Sequence, residues 1–278
     1  MIHKQFYLRN KDKLKLFAQY WAPDSNQKAV VILVHGLGEH SSRYSDLADD
    51  LVKSGYVLFA FDQRGHGKSS GRRGYAKCDK VLLKDIDFII NEAKKHFKKT
   101  PRILLGHSMG GNLVLSYIIR KRSSKLKGVV SSSPWIKLQQ GPSPLVKGLA
   151  KFVLFIFPRF RTKTGLNPED MTHDKPILQK TYEDEYMHNK IGVRLYFSIE
   201  ESGEAILKNK HKINIPLLIM HGNKDKVTSV QATKKLAKNT SKLTHLKIWD
   251  NDYHELFNEV NREEVISYMI DWLNELKL

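Results

Sequence analysis

The sequence predicts an α/β protein with a mostly parallel central sheet and helices on both of its faces. Short apolar runs alternate along the chain with longer segments of helical periodicity, which is the order of strands and helices in such a fold. The short runs are continuously apolar, so each predicted strand is covered on both faces. The chain has 278 residues, of which 41% are hydrophobic, and this is enough for one large core.

Six segments are predicted as strands because they are short, are built from aliphatic and aromatic residues, and stop at polar residues or glycine. They are residues 30–34, 56–62, 103–105, 129–130, 217–220 and 246–249. Ligands bind beyond the carboxyl ends of the strands in doubly wound sheets. The residues that follow these six segments are therefore the candidate functional residues.

Five further segments have the spacing of amphipathic helices, with apolar residues three and four positions apart. They are residues 44–53, 79–98, 111–120, 229–239 and 262–276. A helix that connects two parallel strands crosses over on one face of the sheet. These helices are thus expected to cover the sheet from both sides.

The alternation of strands and helices lapses between residues 134 and 211, and the charge there is polarised. Six basic residues and no acid lie between Trp135 and Pro168, whereas residues 169–204 carry nine acids against four basic residues. An insertion between two sheet strands is typical of a lid over the strand ends. We expect a core formed by residues 1–133 and 212–278, with residues 134–211 as the lid.

A candidate nucleophile follows the third predicted strand. Gly106-His107-Ser108-Met109-Gly110 fits G-x-S-x-G between a strand and a helix, the pattern of a nucleophile elbow. The glycines let the backbone turn sharply without Cβ clashes, and the turn lifts the Ser108 hydroxyl out of the sheet. The helix that begins here directs its dipole at incoming negative charge.

A serine hydroxyl needs a base to take its proton, and the candidate base is His254. It follows the last predicted strand and precedes the last predicted helix, which is where this architecture carries its histidine. The rival is His245, but it lies at the start of that strand and so at the opposite end of the sheet.

The base in turn needs a carboxylate that holds its tautomer, and the candidate is Asp225. It follows the strand at 217–220 and lies between Ser108 and His254 in the chain, the order that this architecture uses. Asp250 and Asp252 compete for the role, but they would have to fold back along their own loop. We interpret both as acids that solvate the loop.

Acyl transfer also needs backbone donors where negative charge develops. The Met109 N–H is one candidate, and the Leu37 N–H, between Gly36 and Gly38 after the first predicted strand, is the other. The alternative for this loop is that its two glycines only form a tight turn.

Taken together, these motifs resemble the monoacylglycerol lipase and lysophospholipase branch of the α/β-hydrolases. The resemblance rests on His35-Gly36-Leu37-Gly38-Glu39-His40-Ser41, Asp62-Gln63-Arg64-Gly65-His66-Gly67-Lys68-Ser69, Gly106-His107-Ser108-Met109-Gly110-Gly111, His221-Gly222-Asn223-Lys224-Asp225 and Tyr253-His254-Glu255. It implies the α/β-hydrolase fold and an activity without cofactor on single-chain acyl lipids. It also implies Ser108 as nucleophile, His254 as base, Asp225 as orienting acid, and Leu37 and Met109 as oxyanion donors.

The predicted function is therefore a serine hydrolase that cleaves carboxylic esters of single-chain acyl lipids, as a monoacylglycerol lipase does, through an acyl-enzyme. The alternatives are a lysophospholipase, or an enzyme with the same triad that acts on small esters or transfers the acyl group to an alcohol. The lid matches the family more loosely than the core does, so the resemblance determines the reaction better than the substrate.

The net charge of +18 raises two classes of partner, nucleic acid and anionic membranes. The plain alternative is a basic surface that only solvates the protein. No nucleic-acid-binding motif occurs, so no nucleic acid is expected. Residues 145–161 interleave basic residues with aliphatic and phenylalanine side chains, which suits peripheral contact with an anionic membrane. The alternative is that these apolar side chains pack on the core.

No metal or cofactor is expected from the sequence. H-E-x-x-H and paired-cysteine spacings do not occur, and Gly67-Lys68-Ser69 lacks the first glycine of a phosphate-binding loop, because Asp62 stands there. Cys78 is the single cysteine, which favours a reducing compartment. Residues 1–15 carry charges throughout, so no secretory signal and a cytoplasmic location are expected, with the membrane contact peripheral.

Overall fold

The apolar runs of the sequence form the centre of an eight-stranded sheet. The computed structural model describes residues 1–120, 125–238 and 240–278. The strands are β1 (Ile2–Arg9), β2 (Lys15–Ala22), β3 (Val30–Val34), β4 (Val57–Phe61), β5 (Arg102–His107), β6 (Gly128–Ser132), β7 (Arg161–Lys163), β8 (Lys190–Gly192), β9 (Leu217–Gly222) and β10 (Thr244–Trp249). The sheet has the order β1-β2-β4-β3-β5-β6-β9-β10, and β7 and β8 form a separate antiparallel pair.

The six strands from β4 to β10 along the sheet are parallel to one another, which confirms the predicted fold class. The chain runs from β3 to β4 on one side and later from β3's other neighbour, β5, outward to β10. The direction of winding therefore reverses around β3, and the carboxyl ends of β3 and β5 meet at this reversal. A crevice at such a point is where doubly wound folds bind ligands.

The antiparallel strands β1 and β2 were not predicted. β1 is an edge strand with mostly exposed side chains, so its sequence has no continuous apolar run. β2 is buried at seven of its eight residues, but Gln19 interrupts its apolar run. The Gln19 amide is tolerated in the interior because it donates hydrogen bonds to the hydroxyls of Ser41 and Ser42.

Eight helices accompany the strands in the described part of the chain, and the five predicted helices are among them. They are α1 (Ser45–Lys53), α2 (Asp79–His96), α3 (Met109–Arg120), α4 (Pro144–Ile156), α5 (Lys175–Glu183), α6 (Val193–Asn209), α7 (Val230–Ala237) and α8 (Arg262–Glu275). The predicted end of α7 at Asn239 lies outside the described residues. Across residues 1–120, 125–238 and 240–278, no helix is both long and apolar enough to cross a bilayer.

The helices bury the two faces of the sheet in two separate apolar clusters. Side chains of α1 and α8, such as Leu51 and Met269, pack with one face. Side chains of α2, α3, α6 and α7 pack with the other, and Ile199 of α6 is fully buried there. Because both faces are covered, the strand ends are left as the surface on which side chains of different strands converge.

Between β6 and β9 the chain forms α4, β7, α5, β8 and α6, the segment expected to be a lid. Its two sides are held very differently. The β8 side is fixed by backbone contacts: the N–H of His188 donates to Gly38 O at 2.9 Å, and that of Gly192 donates to Gly74 O at 2.8 Å. A Cβ at Gly74 would overlap the Lys190 carbonyl. Each residue of α4, by contrast, is exposed or half-buried.

Candidate active site

Ser108 stands at a sharp turn between β5 and α3, at the reversal point of the sheet. Its φ is +54°, a left-handed conformation that costs a non-glycine residue about 1–2 kcal/mol. The turn is tightly packed, because a Cβ at Gly106 would overlap the Gly110 carbonyl and a Cβ at Gly110 would overlap that of Val34. The Ser108 N–H donates to Ser132 O at 2.9 Å. The strained serine is therefore held by its surroundings, as the predicted nucleophile elbow requires.

Three side chains that are far apart in the sequence meet at this turn. His254 Nε2 lies 2.9 Å from the Ser108 hydroxyl, and His254 Nδ1 lies 2.7 Å from Asp225 Oδ2. All three residues are buried. The structure thus brings together Ser108, His254 and Asp225 in the geometry of a proton relay from a serine to a histidine backed by a carboxylate.

The rival residues lie elsewhere. His245 is the second residue of β10, at the opposite end of that strand from the loop that carries His254. Asp250 is exposed and accepts a hydrogen bond from the Asn223 amide at 2.7 Å, as expected of a solvated loop acid. Asp252 is buried instead, which corrects our interpretation of it as a solvating residue. Its burial raises its pKa to about 6, but neither aspartate is hydrogen-bonded to His254 in the described residues.

The carboxylate of Asp225 is fully engaged at the end of β9. Its Oδ1 accepts from the N–H groups of Val227 and Thr228 at 2.7 and 2.9 Å, and its Oδ2 accepts from the Thr228 hydroxyl at 2.8 Å. His221 Nε2 lies 2.9 Å from the same oxygen. Burial by itself would raise the pKa of Asp225, but His254 and His221 outweigh it and hold the pKa well below its usual value. Asp225 is therefore an anion that only accepts hydrogen bonds.

This anion acts on the imidazole beside it. Burial lowers the pKa of His254, but the charge and hydrogen bond of Asp225 outweigh burial and raise it above 6.5. Because the Asp225 carboxylate only accepts, the Nδ1 of His254 carries the proton and its Nε2 faces the serine as an acceptor. The imidazole is thus oriented and made more basic at the atom that faces Ser108.

Histidines at the other strand ends can support the loops through hydrogen bonds, which is the simplest interpretation of their position. His35 fits this interpretation: its Nε2 accepts from the Gln63 N–H at 2.9 Å, so its Nδ1 donates to Gly36 O at 2.7 Å. His107 does not, because its Nδ1 has no partner in the described residues and its ring packs 4.8 Å from that of His254. Burial and the neighbouring His254 lower the pKa of His107 to about 4, so it adds no charge to the site.

The two predicted oxyanion donors lie on either side of the nucleophile. Met109 opens α3 directly after Ser108, and Leu37 follows β3, the neighbouring strand. A Cβ at Gly36 would lie 3.2 Å from the Cβ of Ser108, which shows how closely this loop approaches the serine. Within the described residues, neither the Leu37 nor the Met109 N–H has an acceptor. Both donors are free for a ligand oxygen.

A buried ion network that the sequence analysis missed fixes the loops around the site. The Arg43 guanidinium donates to both oxygens of Glu255 at 2.9 and 2.8 Å, and to Glu39 at 3.1 Å. Glu39 also accepts from the N–H of Gly36, and Glu255 is the neighbour of His254. Burial raises the pKa of Glu255, but Arg43 outweighs it and lowers the pKa to about 2. The network joins the loop of Leu37 to the loop of His254.

The sequence carries only a weak signal for this network. Glu39 and Arg43 are four residues apart, a spacing at which opposite charges pair on a helix. Arg43 and Glu255, however, are separated by 212 residues, and no spacing rule relates them. The Arg43 guanidinium also donates to the hydroxyl of Thr181 in α5 at 3.1 Å, so the network reaches the segment predicted to be a lid as well.

A cavity of about 1000 Å³ opens above the serine. Ser108, His254 and Leu37 line it from the sheet side, and residues of α4, α5, β8 and α6 line it from the segment between β6 and β9. This volume is at the upper end of the usual range for small-molecule sites. Across the described residues, no cluster of three or more histidine, cysteine or carboxylate side chains could hold a metal ion.

Comparison with known proteins relates the chain to one hydrolase family and to monoacylglycerol lipases. A family model described as serine aminopeptidase S33 matches residues 25–261. A monoacylglycerol lipase of Mycolicibacterium smegmatis is 28% identical over 262 residues, which are 94% of this chain and 93% of that protein. The crystal structure of a Paleococcus ferrophilus monoacylglycerol lipase is 31% identical, with a TM-score of 0.84 over 93% of this chain and 98% of that one. An uncharacterized abhydrolase domain-containing protein of Dictyostelium discoideum is 32% identical over 96% of this chain, which spans 28% of that longer protein.

Proposed function

The chain belongs to the serine aminopeptidase S33 family, and we propose that it is a serine hydrolase that cleaves the carboxylic esters of monoacylglycerols through an acyl-enzyme. The resemblance to the monoacylglycerol lipase branch of the α/β-hydrolases is confirmed by the relatives and by the fold. The observation that carries the proposal is the hydrogen-bonded chain from Ser108 through His254 to Asp225, which opens into a lipid-sized cavity.

In the first half of the reaction, the Ser108 oxygen attacks the ester carbonyl while His254 Nε2 takes the serine proton. The N–H groups of Leu37 and Met109 donate to the resulting oxyanion. The tetrahedral intermediate then collapses and its bond to the glycerol oxygen breaks. His254 returns the proton to that oxygen, which leaves as the free alcohol.

In the second half, water replaces the alcohol. His254 takes a proton from the water, whose oxygen attacks the acyl-enzyme, and the same two N–H groups stabilise the second oxyanion. Collapse releases the fatty acid and returns the proton to Ser108. Asp225 stays ionised throughout, because its role is to hold the imidazole tautomer and to stabilise the imidazolium that forms in each half.

We further propose that residues 134–211 act as the lid and that α4 rests on a membrane surface. The alternative, in which the apolar side chains of α4 pack on the core, finds no support in their burial. Leu145, Leu149, Phe152 and Phe155 are all more than half exposed, a density of apolar surface that usually marks an interaction site. With the basic residues nearby, this surface suits peripheral contact with an anionic bilayer on the cytoplasmic side.

The test is active-site labelling with a fluorophosphonate, combined with hydrolysis of monoacylglycerols of several chain lengths. The wild-type chain should be labelled at Ser108 and should release fatty acid, while Ser108→Ala should lose labelling and at least about 10³-fold in kcat/KM. The unfolding temperature of the variant controls for its fold. Hydrolysis that survives in a folded Ser108→Ala protein would refute the proposal.

A further inference from the structure

A second histidine contacts the carboxylate of the triad and has no role in the hydrolysis proposed above. His221, near the end of β9, is fully buried, and its Nε2 lies 2.9 Å from Asp225 Oδ2. His254 Nδ1 lies 2.7 Å from the same oxygen. Because the Asp225 carboxylate only accepts hydrogen bonds, the Nε2 of His221 carries a proton and donates to it. Two imidazoles therefore donate to one carboxylate oxygen, and only one of them faces the serine.

The other nitrogen of His221 fixes the orientation of this ring. His221 Nδ1 lies 2.8 Å from the hydroxyl oxygen of Thr233, a fully buried residue of α7. In the neutral ring with its proton on Nε2, Nδ1 is an acceptor, so the Thr233 hydroxyl donates to it. The side chains of His221 and Asp225 are both fully buried, so bulk water does not screen their contact. The imidazole is thus held with its N–H towards the carboxylate.

The acceptor sites of Asp225 are all in use. A carboxylate offers about four lone-pair sites, and Oδ1 accepts from the N–H groups of Val227 and Thr228. The two imidazoles and the Thr228 hydroxyl approach Oδ2. The negative charge of Oδ2 is therefore shared between several donors, and the N–H dipole of His221 places positive charge beside it. Positive charge near an imidazole disfavours the protonated form of that imidazole.

Other groups also act on His254. Glu39 and Glu255 raise its pKa through their negative charge, and the ring of His107 packs 4.8 Å from its own. Within the described residues, His221 makes no hydrogen bond, ion pair or ring contact with these three neighbours. A substitution at His221 therefore acts on His254 through Asp225.

From this shared oxygen we infer that His221 is a positioning residue of the triad: it holds the Asp225 carboxylate and limits its pull on the proton that His254 accepts. The inference rests on the proposed function, because it concerns the base of that same reaction. Asp225 makes the base stronger, and His221 limits that increase. Without His221, a larger fraction of the base would be protonated near neutral pH and unable to take the serine proton.

The experiment measures the rate of fluorophosphonate labelling against pH in the wild type and in His221→Leu, which removes the donor. The midpoint of the profile should move up in this variant by roughly half a pH unit or more, because Asp225 then attracts the His254 proton more strongly. Well above the midpoint, the two proteins should be labelled at rates within about threefold of each other, since the base is neutral in both. Asp225→Asn should move the same midpoint in the opposite direction.

The conservative variant is His221→Gln. A glutamine amide also has N–H donors for Asp225 Oδ2, so its midpoint should lie near the wild-type value. The matched control is His66→Leu, the same substitution at another buried histidine. His66 Nδ1 lies 3.1 Å from the carbonyl oxygen of Arg64, and within the described residues its ring contacts neither Asp225 nor His254. This control should leave the midpoint unchanged.

The alternative is that His221 only ties β9 to α7. Thr233→Val breaks that tie but keeps the Nε2 donor, so the inference predicts a midpoint near that of the wild type. Loss of a structural tie would instead lower labelling by the same factor at each pH and leave the midpoint of His221→Leu in place. That result, a downward shift in His221→Leu, or an equal upward shift in His66→Leu, would overturn the inference.

The wild-type profile separates the inference from the function beneath it. If the wild type is labelled at Ser108 and hydrolyses monoacylglycerols, but the midpoint of His221→Leu does not rise, the positioning role is refuted and the proposed function stands. If the wild type is neither labelled nor active at any pH, the proposed function fails and the inference fails with it. Unfolding temperatures confine the comparison to folded proteins, and His221→Met makes the same test if His221→Leu does not fold.

Discussion

Two regions face the same cavity but are built in opposite ways. One is the rim of the sheet, where Ser108, Asp225 and His254 follow their strands, and the other is the helix α4. At the rim, Asp225 and His254 are buried and each polar atom that the triad uses has a partner within 3 Å. On α4, Leu145 is 83% and Phe155 is 86% exposed. A buried charge must be paired to be tolerated, whereas an exposed apolar helix depends on whatever it contacts. The comparison teaches that the chain itself fixes the proposed catalytic groups, whereas the exposed apolar face of α4 depends on what it contacts.

The strongest test of this contrast is Asp225→Asn. An asparagine in this place can donate a hydrogen bond to His254 Nδ1, which would leave the wrong tautomer facing Ser108. We expect kcat/KM for monoacylglycerol to fall by roughly 10³- to 10⁴-fold. Asp250→Asn, in the exposed competitor, should change it by less than about twofold. Similar losses in the two variants would break the distinction between the rim and its solvated loop.

The next largest effect is expected in stability, from Arg43→Met. The side chain of Arg43 is 8% exposed, and its removal leaves Glu39 and Glu255 buried without a counter-charge. Urea unfolding should show that the free energy of unfolding falls by about 3–5 kcal/mol. Arg262→Met, which breaks the more exposed pair with Asp50, should cost less than about 1 kcal/mol. If the two substitutions cost the same, the Arg43 network does not hold the rim together.

The pH dependence of labelling sharpens the comparison further. The base must be neutral, so the rate of fluorophosphonate labelling should fall as the pH drops through the pKa of His254, by about tenfold per unit below it. Because Asp225 raises that pKa, the midpoint should lie above 6.5 in the wild type and move down in Asp225→Asn. Phe155→Ser, a change on α4, should leave the midpoint where it is. A wild-type midpoint below 6.5 would contradict the assigned electrostatics.

The smallest effects are expected on α4 of the proposed lid. Phe155→Ser should leave the free energy of unfolding within about 0.5 kcal/mol of the wild-type value, because the Phe155 side chain is exposed and no buried contact is removed. It should weaken binding to vesicles that contain phosphatidylglycerol by roughly tenfold, measured by flotation. Val260→Ser removes another exposed apolar side chain, 73% exposed against 86% for Phe155, outside the proposed lid and serves as the control. Equal binding of the wild type and Phe155→Ser would argue against α4 as the membrane contact.

The sequence predicts the centre of this fold well because its signals there are local. A strand such as β3, with five consecutive aliphatic residues, is covered on both faces wherever it occurs in a parallel sheet. β1 escaped prediction because an edge strand needs no apolar run. Its eight residues pair with β2, and side-chain contacts such as the stacking of His3 on Trp21 add to that pairing. The pairing of β1 with β2 is visible only in the structure, because its register depends on contacts that the sequence does not specify.

The residues of the candidate site also differ in whether a local sequence signal identifies them. Ser108, His254 and Asp225 each follow a strand, so a rule about strand ends sufficed to find them. Arg43 could not be found that way. It is recognised only by its partner Glu255, which is remote in the chain. The exposure of α4 was equally hidden, since an apolar helix reads the same whether it packs on protein or on lipid.

The one-sided attachment of the proposed lid has a consequence for how an acyl chain reaches the site. The β8 side is hydrogen-bonded to Gly38 and Gly74, whereas α4 has no backbone hydrogen bond to the core within the described residues. We therefore expect the cavity to widen at α4 when a substrate enters. This helix is also the surface we propose to rest on the bilayer. An acyl chain that enters beneath α4 would then pass directly from the apolar interior of the bilayer to the cavity. It would reach Ser108 without crossing bulk water.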